Sequence, residues 1–431
     1  MSAEFLLTIG GFLGLAAIGL PIAHAMMAAS IGYFLLAGVS LDNLAEQSAQ
    51  RLFDSFVLLA VPLFIFAAEV MNAGSISDRL LRFCLLLVGR VRGGLAQVNI
   101  VASLIFSGMS GSALADAAGI GKVLIDMMRR DGRYPPGFAA AVTAASATIG
   151  PIIPPSIPMV LYALVSGTSV GFLFLGGILP GLMMAAVMMG LVAVAARRRK
   201  FPVEEVSQVR SRSGTVVQAF PALLLPVILL GGIYGGATTP TEAASIAAAY
   251  ALLLAMVLYR ALDAKGLFTI LVSSTRSTAA ITLIIAGAFL FNYVVAAEQV
   301  PGALAGLLTD LGLSPLAFLL IVNVLFLLFG CFLDATTMLL VLVPLLMPSV
   351  RAVGIDPVHF GVVIIVNMMI GLITPPYGVL LFLINGVTGI PLGAIIREIW
   401  PFIGVLIAAL LVMVLVPDVV LWLPRMFGYT G

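Results

Sequence analysis

Predominantly apolar runs of the length needed to cross a bilayer as helix, roughly 20 residues, recur along the whole chain, around 4–22, 171–196, 217–234, 277–297 and 399–423. In hydrocarbon every backbone N–H and C=O must find a partner within the protein, which leaves helices or a closed barrel as the solutions. Barrel strands would alternate apolar and polar residues with a period of two, and these runs are apolar on every face. The fold class expected is an all-α integral membrane protein. Of the 431 residues, 62% are hydrophobic and 9% charged, against roughly 25% charged in soluble domains, so no soluble domain of useful size remains. The first run has no basic leader and no clear small-residue cleavage site after it, and reads as a retained helix. Cys84 and Cys331 both lie in apolar sequence, which excludes a disulfide framework, and His24 and His359 are too far apart to suggest a transition-metal site.

The longest polar stretch, 197–214, opens with Arg197, Arg198, Arg199 and Lys200, also holds Glu204, Glu205, Arg210 and Arg212, and divides the chain into halves of similar length. Each half reads as three spanning helices, an amphipathic or hairpin segment, a broken helix and a final helix. On that topology 18 of the 21 Lys and Arg fall on one side, and Arg51, Arg351 and Arg425 on the other. The positive-inside rule makes the richer side cytoplasmic and places both termini outside. The halves also match each other: Gly108 with Gly330 at an offset of 222, Gly150 with Gly371 and Pro154-Pro155 with Pro375-Pro376 at 221, and SGTSVG (166–171) with TGIPLG (388–393) at 222. The arginine partition gives the two halves opposite orientation. Inverted repeats with paired broken helices are the signature of secondary transporters.

SGMSGSALADAAGIG (107–121) is too rich in Gly, Ser and Ala to continue a plain membrane helix, and basic residues flank it on both sides, Arg90 and Arg92 before, Lys122 and Arg129 after. A segment that leaves by the face it entered is re-entrant. Its counterpart is GCFLDATTMLLVLVP (330–344). In GPIIPP (150–155) and GLITPP (371–376) the proline pair removes N–H donors and breaks the helix, leaving carbonyls of the previous turn free. Such carbonyls are hard ligands for Na⁺. Beside them the first half offers Gly108, Ser110, Gly111, Ser112, Thr148 and Gly150, and the second offers Gly330, Asp334, Thr336, Thr337, Gly371 and Thr374. These form two expected sodium sites, with Pro154, Pro155, Pro375 and Pro376 as the breaks at the substrate site. Half-helix N-termini after the breaks present positive dipole ends to an anion. Acidic residues are costly at membrane depth; Asp334 is assigned to the ligand set, and Asp116 stays open between a site role and a water-facing one. Glu242, two residues after Pro240, reads as a helix-start residue.

With these motifs assembled, the chain resembles the large membrane subunit of the tripartite ATP-independent periplasmic (TRAP) transporters. The residues that carry the likeness are 107–121, ATIGPIIPPSIPMVLYA (147–163), YGGATTPTEAAS (234–245), FLDATTMLLVLVP (332–344) and GLITPPYGVLLFLING (371–386). The resemblance implies an elevator-type carrier of the ion-transporter superfamily in the bacterial inner membrane. It implies a scaffold from 1–92 and 215–300, joined by the cytoplasmic linker 197–214 to a mobile transport domain from 93–196 and 301–431. That domain would hold hairpins over 93–130 and 313–350 and broken helices over 137–168 and 358–388. It further implies Na⁺-coupled uptake of a carboxylate handed over by a periplasmic substrate-binding protein, with a separate small four-helix membrane subunit and the lipid bilayer as further partners. No cofactor, catalytic residue or nucleic acid belongs to this reading. Neither hairpin tip holds a strong basic residue to clamp a carboxylate.

Three other readings are open to such a sequence. A single-component sodium/anion symporter of the same superfamily would work without a binding protein. An intramembrane hydrolase would need a Ser–His pair, and neither histidine lies near a motif serine in sequence, or an aspartate dyad, formally Asp116 and Asp334, on tips too rich in glycine to be rigid supports. A channel would need a continuous pore, where two opposed half-breaks favour alternating access.

Overall fold

The computed structural model describes residues 2–40, 46, 50, 55–72, 75–203, 212–310 and 312–431. Arg51, Glu204, Glu205 and Arg210 of the charge reading lie outside them. Among the described residues the chain is helical, with one isolated bridge between Arg92 and Val203. In chain order the helices are α1 (Ala3–Ala17), α2 (Ile22–Leu36), α3 (Ala60–Asn72), α4 (Ser75–Val88), α5 (Gly94–Ser110), α6 (Ala113–Asp116), α7 (Lys122–Arg129), α8 (Pro136–Ala147), α9 (Ile157–Ser166) and α10 (Val170–Arg198). The second half continues with α11 (Arg212–Tyr234), α12 (Pro240–Leu252), α13 (Ala264–Ala297), α14 (Val300–Asp310), α15 (Pro315–Gly330), α16 (Ala335–Ala352), α17 (Pro357–Gly371), α18 (Val379–Thr388), α19 (Leu392–Leu415) and α20 (Asp418–Met426). Among the described residues six helices are long and apolar enough to cross a membrane on their own.

The element starts follow from local chemistry. Pro136, Pro240, Pro315 and Pro357 stand in the first turn of α8, α12, α15 and α17, where a missing N–H costs nothing. Ser314 and Asp356 accept amides of the first turns of α15 and α17. Thr239 and Glu242 form a reciprocal capping box on α12, the helix-start role that the sequence gives Glu242. Two apolar runs turn out to be broken. The run 4–22 ends as helix at Ala17, because Gly19 turns at φ 92° and Pro21 precedes α2. The run 399–423 is split between α19 and α20 at Val416–Pro417.

The long hairpin and break segments fall where the repeats place them. α5, α6 and α7 make the first hairpin and α15 and α16 the second; α8 with α9 and α17 with α18 are the two broken helices. α8 is buried from Gly137 to Ala147 and α17 from Val358 to Gly371, so the first half of each broken helix runs through the middle of the protein, as its all-round apolar sequence demands. The packing interlocks the repeats. Each hairpin lays its first leg on the first half of its own broken helix, α5 on α8 and α15 on α17; its second leg lies on the second half of the other, α16 on α9 and α6–α7 on α18. α12 and α13 pack on α3, and α13 also on α2 and on α16 of the second hairpin.

Candidate functional site

The first hairpin turns at Gly111, whose φ of 58° suits glycine and whose absent Cβ matters as much: an added Cβ would lie 2.6 Å from the Pro155 carbonyl oxygen. The tip is thereby seated against the break. Gly108 lies on the same face, with Pro226 of α11 and the Pro154 carbonyl as its nearest neighbours. Gly150 faces the second leg, where a Cβ would meet Asp116 Oδ2 at 2.7 Å and the Ala113 amide nitrogen at 3.6 Å. Gly108, Gly111, Gly150, Pro154 and Pro155 are therefore brought together.

The side-chain oxygens around this seat are already oriented. Ser110 donates from Oγ to Asp116 Oδ1 at 2.5 Å and accepts the Ser112 amide at 3.4 Å. Ser112 caps α6 by accepting from the Ala115 amide. Thr148 donates to the Ala145 carbonyl at 2.6 Å. A hydroxyl that gives its proton to the protein turns its lone pairs to whatever else approaches, which suits a cation. Ser156, which sequence patterning did not single out, caps α9 by accepting from Met159 and donates to the Pro151 carbonyl, tying the two ends of the break together.

In the second repeat the contact is backbone on backbone. Gly371 has the Cα of Gly330 2.9 Å from where its Cβ would be. The Gly378 amide reaches the Cys331 carbonyl at 3.3 Å, joining the far side of the break to the tip. Asp334 is the N-cap of α16: its carboxylate accepts the Thr337 amide at 3.0 Å and the Thr337 hydroxyl at 2.5 Å. Thr374 donates to the Ile370 carbonyl at 2.7 Å. Thr336 is half-buried beside this cap. Asp334 occupies the position of Ser112 at the offset of 222, so the two tips share a cap built from different side chains.

Buried polar clusters hold each first leg to its broken helix. Asn99 donates to Thr143 at 2.6 Å and accepts from Ser146 at 2.9 Å, while Ser103 donates to Ser146 at 3.0 Å. In the second repeat Asn367 donates to the Asn323 side chain at 2.7 Å and to its carbonyl at 2.8 Å. The sequence signal was there, an amide in an otherwise apolar helix, but it marks clamping as readily as binding. The whole arrangement offers two clusters of hard oxygens, each at a helix break, with half-helix N-termini nearby.

The family description of the tripartite ATP-independent periplasmic transporter, DctM component, matches residues 9–419. The sialic acid TRAP transporter large permease protein SiaM of Vibrio cholerae is 41% identical over 423 residues, which covers 98% of this chain and 99% of that protein. The C4-dicarboxylate TRAP transporter large permease protein DctM of Pseudomonas aeruginosa is 41% identical over 383 residues, 88% and 90% of the two chains. Among solved structures, the YdaH transporter of Alcanivorax borkumensis aligns with a TM-score of 0.62 at 16% identity over 99% of each chain, a likeness of fold.

Proposed function

The chain belongs to the DctM-component family of the tripartite ATP-independent periplasmic transporters, and from that premise we propose that it imports a small organic acid with Na⁺ as the coupling ion. It is a multi-pass membrane protein. The substrate class is that of its relatives, among them carriers of sialic acid and of C4-dicarboxylates. A periplasmic binding protein delivers the acid, and a small four-helix membrane subunit flanks the scaffold. The protein lies in the bacterial inner membrane, with both termini in the periplasm and the arginine-rich side in the cytoplasm.

Each repeat binds one Na⁺. The first ion takes oxygens from Gly108, Ser110, Gly111, Ser112, Thr148 and Gly150, the second from Gly330, Asp334, Thr336, Thr337, Gly371 and Thr374. Ion occupancy orders the tips beside Pro154, Pro155, Pro375 and Pro376, and the carboxylate binds between them, toward the positive ends of α9 and α18. The transport domain (93–196 and 301–431) then slides along the scaffold (1–92 and 215–300) and exposes the site to the other face.

The observation that carries this reading is the seating of each tip on its own helix break, Gly111 on Pro155 and Gly330 on Gly371. The test is reconstitution into proteoliposomes with the small subunit and binding protein, following Na⁺-gradient-driven uptake of labelled sialic acid and C4-dicarboxylates. Asp334→Ala and Ser110→Ala/Ser112→Ala proteins should need more Na⁺ for half-maximal uptake. Unchanged Na⁺ dependence in correctly inserted variants removes the sodium assignment. Undiminished uptake without the binding protein would favour the single-component symporter.

A further inference from the structure

Asp116 ends the turn α6, directly before a π turn over Ala117–Gly121, the kind of helix irregularity that gathers at functional sites. It is 6% exposed. Its Oδ1 is held by Ser110, while Oδ2 is buried without a hydrogen-bond partner and faces Gly150, where only a hydrogen leaves it room. None of the ion pairs among the described residues includes it. An isolated carboxylate in such a place is among the costliest groups a protein can bury, and one hydroxyl does not offset it. The same carboxylate borders Ser110 and Gly150, two members of the proposed sodium cluster, where a cation would supply the countercharge.

We propose that Asp116 is the charged ligand of the first-repeat cation site, presenting Oδ2 to the ion and using Oδ1 to turn the Ser110 lone pairs toward it. The inference rests on the sodium reading and deepens it. Gly150 belongs to the same device, since any side chain there would displace the carboxylate oxygen. The second repeat has no equivalent. At the offset of 222 Asp116 corresponds to Met338, and the carboxylate that this repeat does carry, Asp334, is taken up by both donors of Thr337. The first site thus holds its ion with a formal charge and the second with a carboxylate already committed to a helix cap, so the first binds Na⁺ more tightly.

The test is thermal unfolding of the purified protein in choline chloride with NaCl titrated in, for wild type, Asp116→Asn and Gly150→Ala. Asparagine keeps the shape and the Ser110 contact but removes the charge. Asp116→Asn should unfold at a higher temperature than wild type in choline, because an uncompensated buried charge is gone, and should need at least about tenfold more Na⁺ for half-maximal stabilisation, a difference of about 1.4 kcal/mol. A residue with a structural role alone gives the opposite pair, lower stability in choline with the Na⁺ titration unmoved, and that result overturns the assignment. Gly150→Ala should shift the Na⁺ midpoint the same way and carries the test if Asp116→Asn does not insert; a wild-type titration there overturns it too. A wild-type protein indifferent to Na⁺ instead overturns the sodium reading itself.

Discussion

Arg351 donates from its guanidinium to the Ser166 carbonyl at 3.0 Å, and 222 residues earlier Arg129 donates to the Thr388 carbonyl at 3.3 Å. The acceptors are separated by the same 222 residues. Each arginine stands at the exit of a hairpin and satisfies a terminal carbonyl of the other repeat's broken helix, where a cation also meets the negative end of the helix dipole. The pair pins the interlocked repeats to each other at two points. Arg351→Gln should lower stability in detergent by about 1 kcal/mol, with Arg129→Gln costing less because its contact is longer and exposed. Thermal unfolding of the single and double variants checks this; equal, zero effects would reduce both bonds to surface decoration.

A second tie crosses from α13 to the second hairpin. Asn292 donates from Nδ2 to the Leu340 carbonyl at 2.9 Å. That carbonyl is available because the residue four positions on is Pro344, which has no N–H to give it. The Asn292 carbonyl oxygen itself is buried without a partner, so the amide is tolerated for its donor. Asn292→Leu should destabilise the protein by about 1–3 kcal/mol through the orphaned carbonyl. Pro344→Ala supplies the helix donor, so Asn292→Leu should cost much less in that background. Additive losses in the double-mutant cycle would mean that the amide and the proline are unrelated.

At the second tip the two glycines are not equivalent. A Cβ on Gly371 would stand 2.9 Å from both the Cα and the carbonyl carbon of Gly330, and backbone cannot swing away. A Cβ on Gly330 would meet the Gly371 Cα at 3.3 Å, with the Met368 carbonyl oxygen and the Met338 sulfur at ordinary contact distances of 3.8 and 3.9 Å. Gly371→Ala should therefore wedge the tip off the break, costing about 1–3 kcal/mol and abolishing uptake. Gly330→Ala should fold more stably and keep partial uptake. The reverse ranking in proteoliposome assays would separate tip seating from transport.

Much of this was legible in the sequence for a physical reason: Gly and Pro act through the backbone, so GPIIPP and GLITPP announce a helix break wherever they stand. The inverted repeat then supplied each signal twice, and the expected hairpin limits, Arg130 and Val350, lie one and two residues from the ends of α7 and α16. What depended on tertiary position was harder to read. Nothing local to Asp116 says that its Oδ2 would end against Gly150, 34 residues away, and nothing in LDATT distinguishes a free ligand carboxylate from one capping Thr337. Composition also overran two breaks, since Gly19 and Pro417 interrupt helices without lowering the apolar content of their runs.

At the end of α13 the carboxylate of Glu298 gathers the Ser2 hydroxyl at 2.5 Å, the Tyr33 hydroxyl at 2.8 Å and the Ser2 amide at 2.9 Å, fastening the start of α1 and the last turn of α2 to that helix. The Ser2 hydroxyl foremost, then the Ser2 amide and Tyr33, hold its pKa below the ordinary 4.5. A carboxyl whose folded pKa lies below its unfolded one adds stability that is fully present above the unfolded value and is lost as pH falls through the folded one. Wild type should therefore unfold at a higher temperature than Glu298→Gln at neutral pH, and the gap should close as pH drops below 4.5. A gap that stays constant through acidification would mean that the fastening owes nothing to the charge of the carboxylate.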